Sequence, residues 1–234
     1  RTNLADQNTT GRITAATSAS RYFDFAVTDD FHVVVLYYDE ADGRMKLRYS
    51  NDAVDGSNPT ETVAWVDSAI TFPDYIGNYV SMTLDSTGGI HIAAYDSSDA
   101  DLVYMYIPAY DSADLSIATV DAAFSVGQWT DIEVKEDGGQ VIPYIAYFNS
   151  SESGQRDSIK LAYSNSAITA VNVPDGVDTN GTTGEWEYMN VPAITPPQGG
   201  STNFKRVNLE FDSSGVPVVG YLGTNLEFGK WLGE

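Results

Sequence analysis

The acidic residues between positions 175 and 187 have the spacing of a calcium-binding loop. Counting Gly176 as position 1 of a twelve-residue loop places Asp178 at position 3, Asn180 at position 5 and Glu187 at position 12. Carboxylate and amide oxygens at such positions are the ligands that Ca²⁺ takes in proteins. Position 1 is not acidic, so a solvated Gly/Asn turn is the alternative interpretation. Asp178, Asn180 and Glu187 are therefore the candidate calcium ligands.

The histidines and the known catalytic motifs point to little other chemistry. His32 and His91 are the two histidines of the chain, and they lack the H-E-x-x-H spacing of a catalytic zinc helix. His91 stands in a strand-like segment, which favours a structural role. The sequence contains no P-loop, no dinucleotide-binding fingerprint and no nucleophile elbow. From the residues alone, no catalytic set is assigned.

The charge and composition exclude several classes of protein. The chain has 234 residues with 33 acidic and 12 basic side chains, a net charge of −21, and no cysteine. Nucleic acid is excluded as a partner because binding it requires a basic surface. Disulfides and thiolate-ligated metals are excluded by the absence of cysteine. No apolar run reaches the roughly 20 residues of a membrane span.

The chain is built from four similar units, and it is this repeat that would position any site. Each unit reads as an apolar-alternating strand, an Asp/Gly turn, a second strand with a tyrosine near its end, a polar loop and a third strand. The matched tyrosines are Tyr38, Tyr95, Tyr147 and Tyr221, at spacings of 57, 52 and 74 residues. Fourth strands fit between the units. These tyrosines are interpreted as packing residues rather than as ligand-binding residues.

Four antiparallel strands repeated about every 50 residues predict an all-β protein, a β-propeller of four-stranded blades. The predicted blades cover approximately 20–70, 75–122, 127–190 and 202–232 of a single domain spanning 1–234. A strand at 12–16 could complete the last blade and close the ring. Two alternatives stay open: the chain is a segment of a longer propeller, or its open blade edge accepts a strand from another subunit.

The repeat resembles the blades of the sialidase-like (BNR/Asp-box-related) β-propellers of secreted and cell-surface bacterial proteins. The resemblance rests on repeat-matched residues and on two Tyr-Ser-Asn strand ends. These residues are Gly89/His91/Tyr95/Asp96, Gly139/Pro143/Tyr147, Gly215/Pro217/Tyr221, Leu47–Asn51 and Leu161–Asn165. It covers roughly residues 20–232 and implies a propeller fold.

The same resemblance implies a carboxylate-binding site, because sialidases hold the substrate carboxylate with three arginines. The candidates are Arg12, Arg48 and Arg206. The Asp-box itself departs from the family pattern: Val54 stands where its glycine should be, and Trp65 comes too late. These departures favour a protein that is not an enzyme.

The sequence therefore predicts a non-catalytic, extracytoplasmic β-propeller that acts as a binding, adhesion or assembly module. The expected partners are a protein or a glycan at the cell surface, with self-assembly through an open blade edge as a further route. Calcium is the one cofactor considered. The alternative is a glycan-processing, sialidase-like glycoside hydrolase. The expected location is extracellular or at the cell surface.

Overall fold

Every regular element that the structure describes is a β-strand. In this computed structural model the described residues are 22–54, 63–123, 125–150, 158–164, 186–191, 206–222 and 226–230. Their strands form four antiparallel sheets, here called blades 1 to 4, each with its strands in sequence order. The predicted all-β class is confirmed. The described part of the chain contains no helical segment with the length and hydrophobicity that a bilayer crossing requires.

The blades follow one another along the chain. Blade 1 contains β1 (Phe23–Val27), β2 (Val33–Asp39), β3 (Arg44–Ser50) and β4 (Trp65–Asp67). Blade 2 contains β5 (Ile76–Leu84), β6 (Ile90–Asp96), β7 (Asp101–Ile107) and β8 (Ser116–Asp121). Blade 3 contains β9 (Ser125–Asp137), β10 (Gln140–Ser150), β11 (Ser158–Ser164) and β12 (Trp186–Asn190). Blade 4 contains β13 (Val207–Phe211), β14 (Pro217–Leu222) and β15 (Leu226–Lys230).

Aspartates build the tight turns between the first and second strands. In blade 2, the Asp85 carboxylate accepts the backbone N–H groups of Thr87 at 2.8 Å and Gly89 at 2.9 Å. In blade 4, the Asp212 carboxylate accepts the N–H groups of Ser214 at 2.8 Å and Val216 at 3.0 Å. Aspartate is common in turns because its short side chain can bond backbone donors a few residues ahead. Part of the negative charge of the chain therefore serves turn formation.

Neighbouring blades bury a separate hydrophobic core between each pair. The core between blades 1 and 2 includes Leu36 and Ile92, the core between blades 2 and 3 includes Ile145, and the core between blades 3 and 4 includes Leu209. Alternate residues of a strand point to opposite faces, so one blade supplies side chains to two cores. Three of the matched tyrosines, Tyr38, Tyr147 and Tyr221, are buried in these cores.

The first strands of the blades lie side by side and form the inner layer. β1 contacts β5, β5 contacts β9, and β9 contacts β13. This is the radial, propeller-like stacking that the repeat predicts. The strand predicted at 12–16, and with it ring closure through that strand, lies outside the described residues.

Candidate functional site

A cavity of about 360 Å³ lies where the four first strands begin. We call it the axial cavity. Each blade contributes three consecutive residues to its wall: Tyr22–Asp24, Tyr79–Ser81, Trp129–Asp131 and Arg206–Asn208. Its volume falls within the range of about 300–1,000 Å³ that small-ligand sites occupy. The sequence repeat therefore places equivalent residues of all four blades around one cavity.

Two β-bulges direct aromatic side chains toward this cavity. Tyr79 and Trp129 both have φ of 55°, a left-handed conformation that is strained for an aromatic residue. The strand registers shift around both residues, on β5 and on β9. Bulges re-aim side chains and recur beside functional sites. The same local distortion at two equivalent positions indicates that it belongs to the repeat.

A glycine two residues earlier makes each bulge fit its neighbours. Gly77 has φ of 127°, and a Cβ atom there would stand 2.1 Å from Met45 Cγ. Gly127 has φ of 95°, and its Cβ would stand 2.8 Å from Leu102 Cα. Both positions therefore need glycine for conformation and for space. The alternation pattern predicts these two strands at Tyr79–Asp85 and Trp129–Lys135. The bulges extend β5 and β9 beyond them toward the N-terminus.

Tyr22, Tyr79 and Trp129 form a continuous row of aromatic rings. The ring centroids of Tyr22 and Tyr79 are 4.7 Å apart, and those of Tyr79 and Trp129 are 4.6 Å apart. Both pairs are tilted, the geometry that aromatic quadrupoles favour. Arg206 takes the equivalent position in blade 4, and its side chain is exposed. The cavity thus combines an aromatic row with one cationic group.

The residues two positions beyond Tyr22, Tyr79 and Trp129 join each blade to the next. Met82 N–H donates to Asp24 Oδ2 at 2.8 Å, and Leu209 N–H donates to Asp131 Oδ2 at 2.6 Å. Between them, Ile132 N–H donates to Ser81 Oγ at 3.4 Å. The same bond therefore recurs at all three blade junctions. We call these three contacts the junction bonds.

The junction bonds leave the cavity aspartates little freedom for acid–base chemistry. Asp24 Oδ1 accepts the N–H of Phe25 at 2.9 Å, and Asp131 Oδ1 accepts the hydroxyl of Ser81 at 3.0 Å. Both oxygens of each carboxylate are therefore bonded within the protein. Burial raises the pKa of Asp131, although the bonds from Leu209 and Ser81 oppose the shift. Asp24 and Asp131 hold the blades together.

Glu133 lies on β9 two residues beyond Asp131, on the same face of the strand. Burial, followed by the nearby charges of Asp131 and Glu210, raises the pKa of Glu133 to about 7. The hydroxyl of Thr83 donates to Glu133 Oε2 at 3.4 Å and opposes the shift. Glu133 is therefore a carboxyl group with a pKa near neutral pH, two residues beyond the cavity wall on β9.

The structure places two of the three candidate arginines in different cavities. Arg206 lines the axial cavity. Arg48 lines a cavity of about 540 Å³ on the outer half of blade 1, where it forms a two-pronged ion pair with Asp67 whose Nη2–Oδ2 distance is 3.0 Å. Arg12 lies outside the described residues. Arg48 and Arg206 are therefore not brought together on one ligand.

The calcium prediction stays a prediction. Asp178 and Asn180 lie outside the described residues. Glu187 is exposed on β12, and its Oε2 accepts the hydroxyl of Tyr163 at 2.5 Å. Among the residues that the structure describes, no group of three His, Asp or Glu side chains has the arrangement of a metal site.

The sequence alone does not identify the aromatic row, because a tryptophan near the start of a strand, such as Trp129, is interpreted from the sequence as a packing residue. A signal was present in the repeat Gly77-Asn78-Tyr79 and Gly127-Gln128-Trp129, in which a glycine precedes an aromatic residue by two positions. This Gly-x-aromatic repeat points to the aromatic row only once the bulges at Tyr79 and Trp129 are known. The positions of these residues around one cavity depend on how the blades stack, which the repeat spacing does not specify.

No protein-family model and no curated protein sequence matches the chain. The structure is similar to the K499G mutant of NanB sialidase from Streptococcus pneumoniae, with a TM-score of 0.51 and 12% sequence identity over 88% of this chain. A complex of the same sialidase with 2-[(3-chlorobenzyl)ammonio]ethanesulfonate gives a TM-score of 0.49 and 12% identity over 88% of this chain. A GH43 endo-arabinanase from Bacillus licheniformis gives 0.43 and 12% identity, over 89% of this chain and 72% of that chain.

The likeness to NanB sialidase concerns the fold alone, because the sequence identity is 12%. It supports the propeller-like arrangement of the blades. In both sialidase structures the match covers 29% of the sialidase chain. The likeness therefore assigns no activity to this chain.

Proposed function

We propose that this protein is a carbohydrate-binding module whose ligand site is the axial cavity. The row formed by Tyr22, Tyr79 and Trp129 carries the proposal. Aromatic rings offer flat apolar surfaces to the C–H faces of a sugar, and tyrosine and tryptophan also bring polar groups. Arg206 and Asn208 on the blade 4 side supply exposed donors for sugar hydroxyl or acidic groups.

A binding role without catalysis agrees with the state of the cavity carboxylates. Hydrolysis of a glycosidic bond ordinarily needs two carboxyl groups that are free to act as acid and as base or nucleophile. In Asp24 and Asp131 all four carboxylate oxygens accept hydrogen bonds from the protein. In keeping with the sequence resemblance, the proposal places this binding in the extracellular space or at the cell surface.

The test is a glycan array followed by titration calorimetry with the glycan that gives the strongest signal. Replacing Trp129 by Ala removes one ring of the row and should weaken binding at least tenfold, equivalent to about 1.4 kcal/mol. Tyr75→Ala is the matched control, because Tyr75 is an exposed aromatic residue that does not line the axial cavity. Equal loss in both variants, or no glycan bound at all, contradicts the proposal.

Glycan hydrolysis is the second candidate function, and Glu133 is the observation that favours it. A carboxyl group with a pKa of about 7 is suited to act as a general acid near neutral pH. A panel of fluorogenic glycosides tests this function directly. Turnover that is lost in Glu133→Gln and kept in Glu136→Gln, an exposed residue further along the same strand, would establish hydrolysis.

A further inference from the structure

One face of blade 1 is apolar and exposed. On β1, Phe23, Phe25 and Val27 point to this face with exposed fractions of 63%, 60% and 51%. Val33 and Val35 lie beside Val27 and Phe25 on β2 and share the face. We call these five residues face A. Removing such apolar side chains from water is favourable, so face A is suited to contact another surface.

The equivalent face is covered in every other blade. In blades 2 and 4 the matching residues are Val80 and Met82, and Val207 and Leu209, and all four are buried against the preceding blade. In blade 3 the matching Ile132 is buried in the same way. In these three blades the face is covered by the opposite face of the preceding blade. Face A is therefore a blade-docking face that none of the described blades covers.

Blade 4 presents the complementary surface. Asn208 and Glu210 on β13 are exposed, as is Phe228 on β15 with an exposed fraction of 71%. The Phe228 ring lies over Gly220, where a Cβ atom would stand 3.0 Å from its Cε1. We call this surface, with Val218 of β14, face B. Asn208 stands at the position that Asp24, Ser81 and Asp131 occupy in the junction bonds.

We propose that face A of one copy docks on face B of a second copy, head to tail. Blade 1 of the first copy then packs on blade 4 of the second copy in the way that blade 2 packs on blade 1 within a chain. Asn208 then accepts a backbone N–H of β1 in the register of the junction bonds. The occupant is a second copy because this chain carries both halves of an interface that it already forms three times. Such a contact is heterologous, and two copies that satisfy both faces form a closed ring.

The experiment is sedimentation velocity over a dilution series. It is made first on the wild-type chain and then on the variants Phe25→Lys of face A and Phe228→Lys of face B. The expected species has twice the chain mass of 25.4 kDa. Each variant should raise the dissociation constant at least tenfold. Ile117→Lys is the control, because Ile117 is exposed on β8 away from both faces. Val27→Lys is a second face A variant, and far-UV circular dichroism checks that each variant is folded.

Mixing the two variants tests the head-to-tail arrangement itself. A mixture of Phe25→Lys and Phe228→Lys retains one intact pair of faces, so the two variants should associate more tightly in the mixture than either does alone. A wild-type chain that stays monomeric at 100 μM overturns the proposal. A dimer that survives both substitutions, or one that only the face A variants disrupt, also overturns it.

Discussion

His91 Nε2 lies 3.1 Å from Asp85 Oδ2 in the interior of blade 2, and both side chains are buried. The other ring nitrogen, Nδ1, lies 2.7 Å from the hydroxyl oxygen of Tyr104. Asp85 also bonds the backbone of the turn that follows β5. His91 thus connects a turn to the core between blades 2 and 3, an arrangement that agrees with the structural role that the sequence favours.

Replacing Asp85 by Asn should destabilise the protein at neutral pH. Burial acts to raise the pKa of Asp85, but the bonds from His91, Thr87 and Gly89 outweigh it and hold the pKa below its usual range. The charged carboxylate therefore stabilises the fold above the unfolded-state pKa of about 4, and this stabilisation is lost as pH falls further. We expect a loss of about 2 kcal/mol at pH 7 and a smaller loss at pH 3. Urea unfolding at both pH values, with exposed Asp137→Asn as the control, measures it.

Replacing Glu133 by Gln should have the opposite effect. The folded-state pKa of about 7 lies above the unfolded value, so ionisation of Glu133 destabilises the fold as pH rises from about 4.5 to 7. After allowance for solvent screening, we expect Glu133→Gln to stabilise the protein by about 1 kcal/mol at pH 8. Thermal unfolding should show a rise of about 2–4 °C at pH 8 and little change at pH 4.5. Equal rises at the two pH values would contradict this.

Asp121 links two blades through a buried network. Its Oδ2 accepts the Tyr147 hydroxyl at 2.6 Å and the Lys160 ammonium at 2.8 Å. Asp121→Ala leaves both donors without this acceptor in the interior, so we expect a loss of about 3 kcal/mol. Asp67→Ala is the matched control: it breaks the more exposed pair with Arg48, where less than about 1 kcal/mol is expected. Similar losses in chemical denaturation would contradict the network.

Gly127 should not tolerate alanine. Its φ of 95° and the 2.8 Å approach of a Cβ atom to Leu102 Cα combine backbone strain with a steric clash. We expect Gly127→Ala to destabilise the protein by about 3 kcal/mol. Gly138→Ala is the control, because Gly138 has φ of 59° and open space around its Cα, and about 1 kcal/mol is expected there. The difference between the two unfolding free energies isolates the clash at the bulge.

The sequence predicts most of the strands, because alternation and Asp/Gly turns are local features. The alternation pattern predicts strands at Arg44–Ser50, Ile90–Asp96 and Ser158–Ser164. These agree with β3, β6 and β11 at both ends. The starts of β5 and β9 differ, because the bulges at Gly77 and Gly127 continue the strands through an irregular register. The Gly-x-aromatic repeat marks the positions of Tyr79 and Trp129, but a positive φ is so rare for aromatic residues that alternation alone does not predict it there.

The site is less predictable than the fold because it is assembled from four separate blades. Trp129 and Tyr22 are far apart in sequence, and both contact Tyr79. The sialidase resemblance implies a role for Arg206 that is shared with Arg48, and the structure places the two in separate cavities. Which repeat positions face the axis follows from blade stacking, and stacking is set by the three cores together.

The junction bonds also bear on how the chain loses its structure. Each bond joins one blade to the next, so these bonds couple neighbouring blades in the part of the chain that the structure describes. In such arrays, total stability is approximately the sum of unit terms and nearest-neighbour terms. Blade 1 has one neighbour in the described chain, whereas blade 2 has two. In a single copy, unfolding should therefore begin at an end of the array, and docking of a second copy on both faces should remove that starting point.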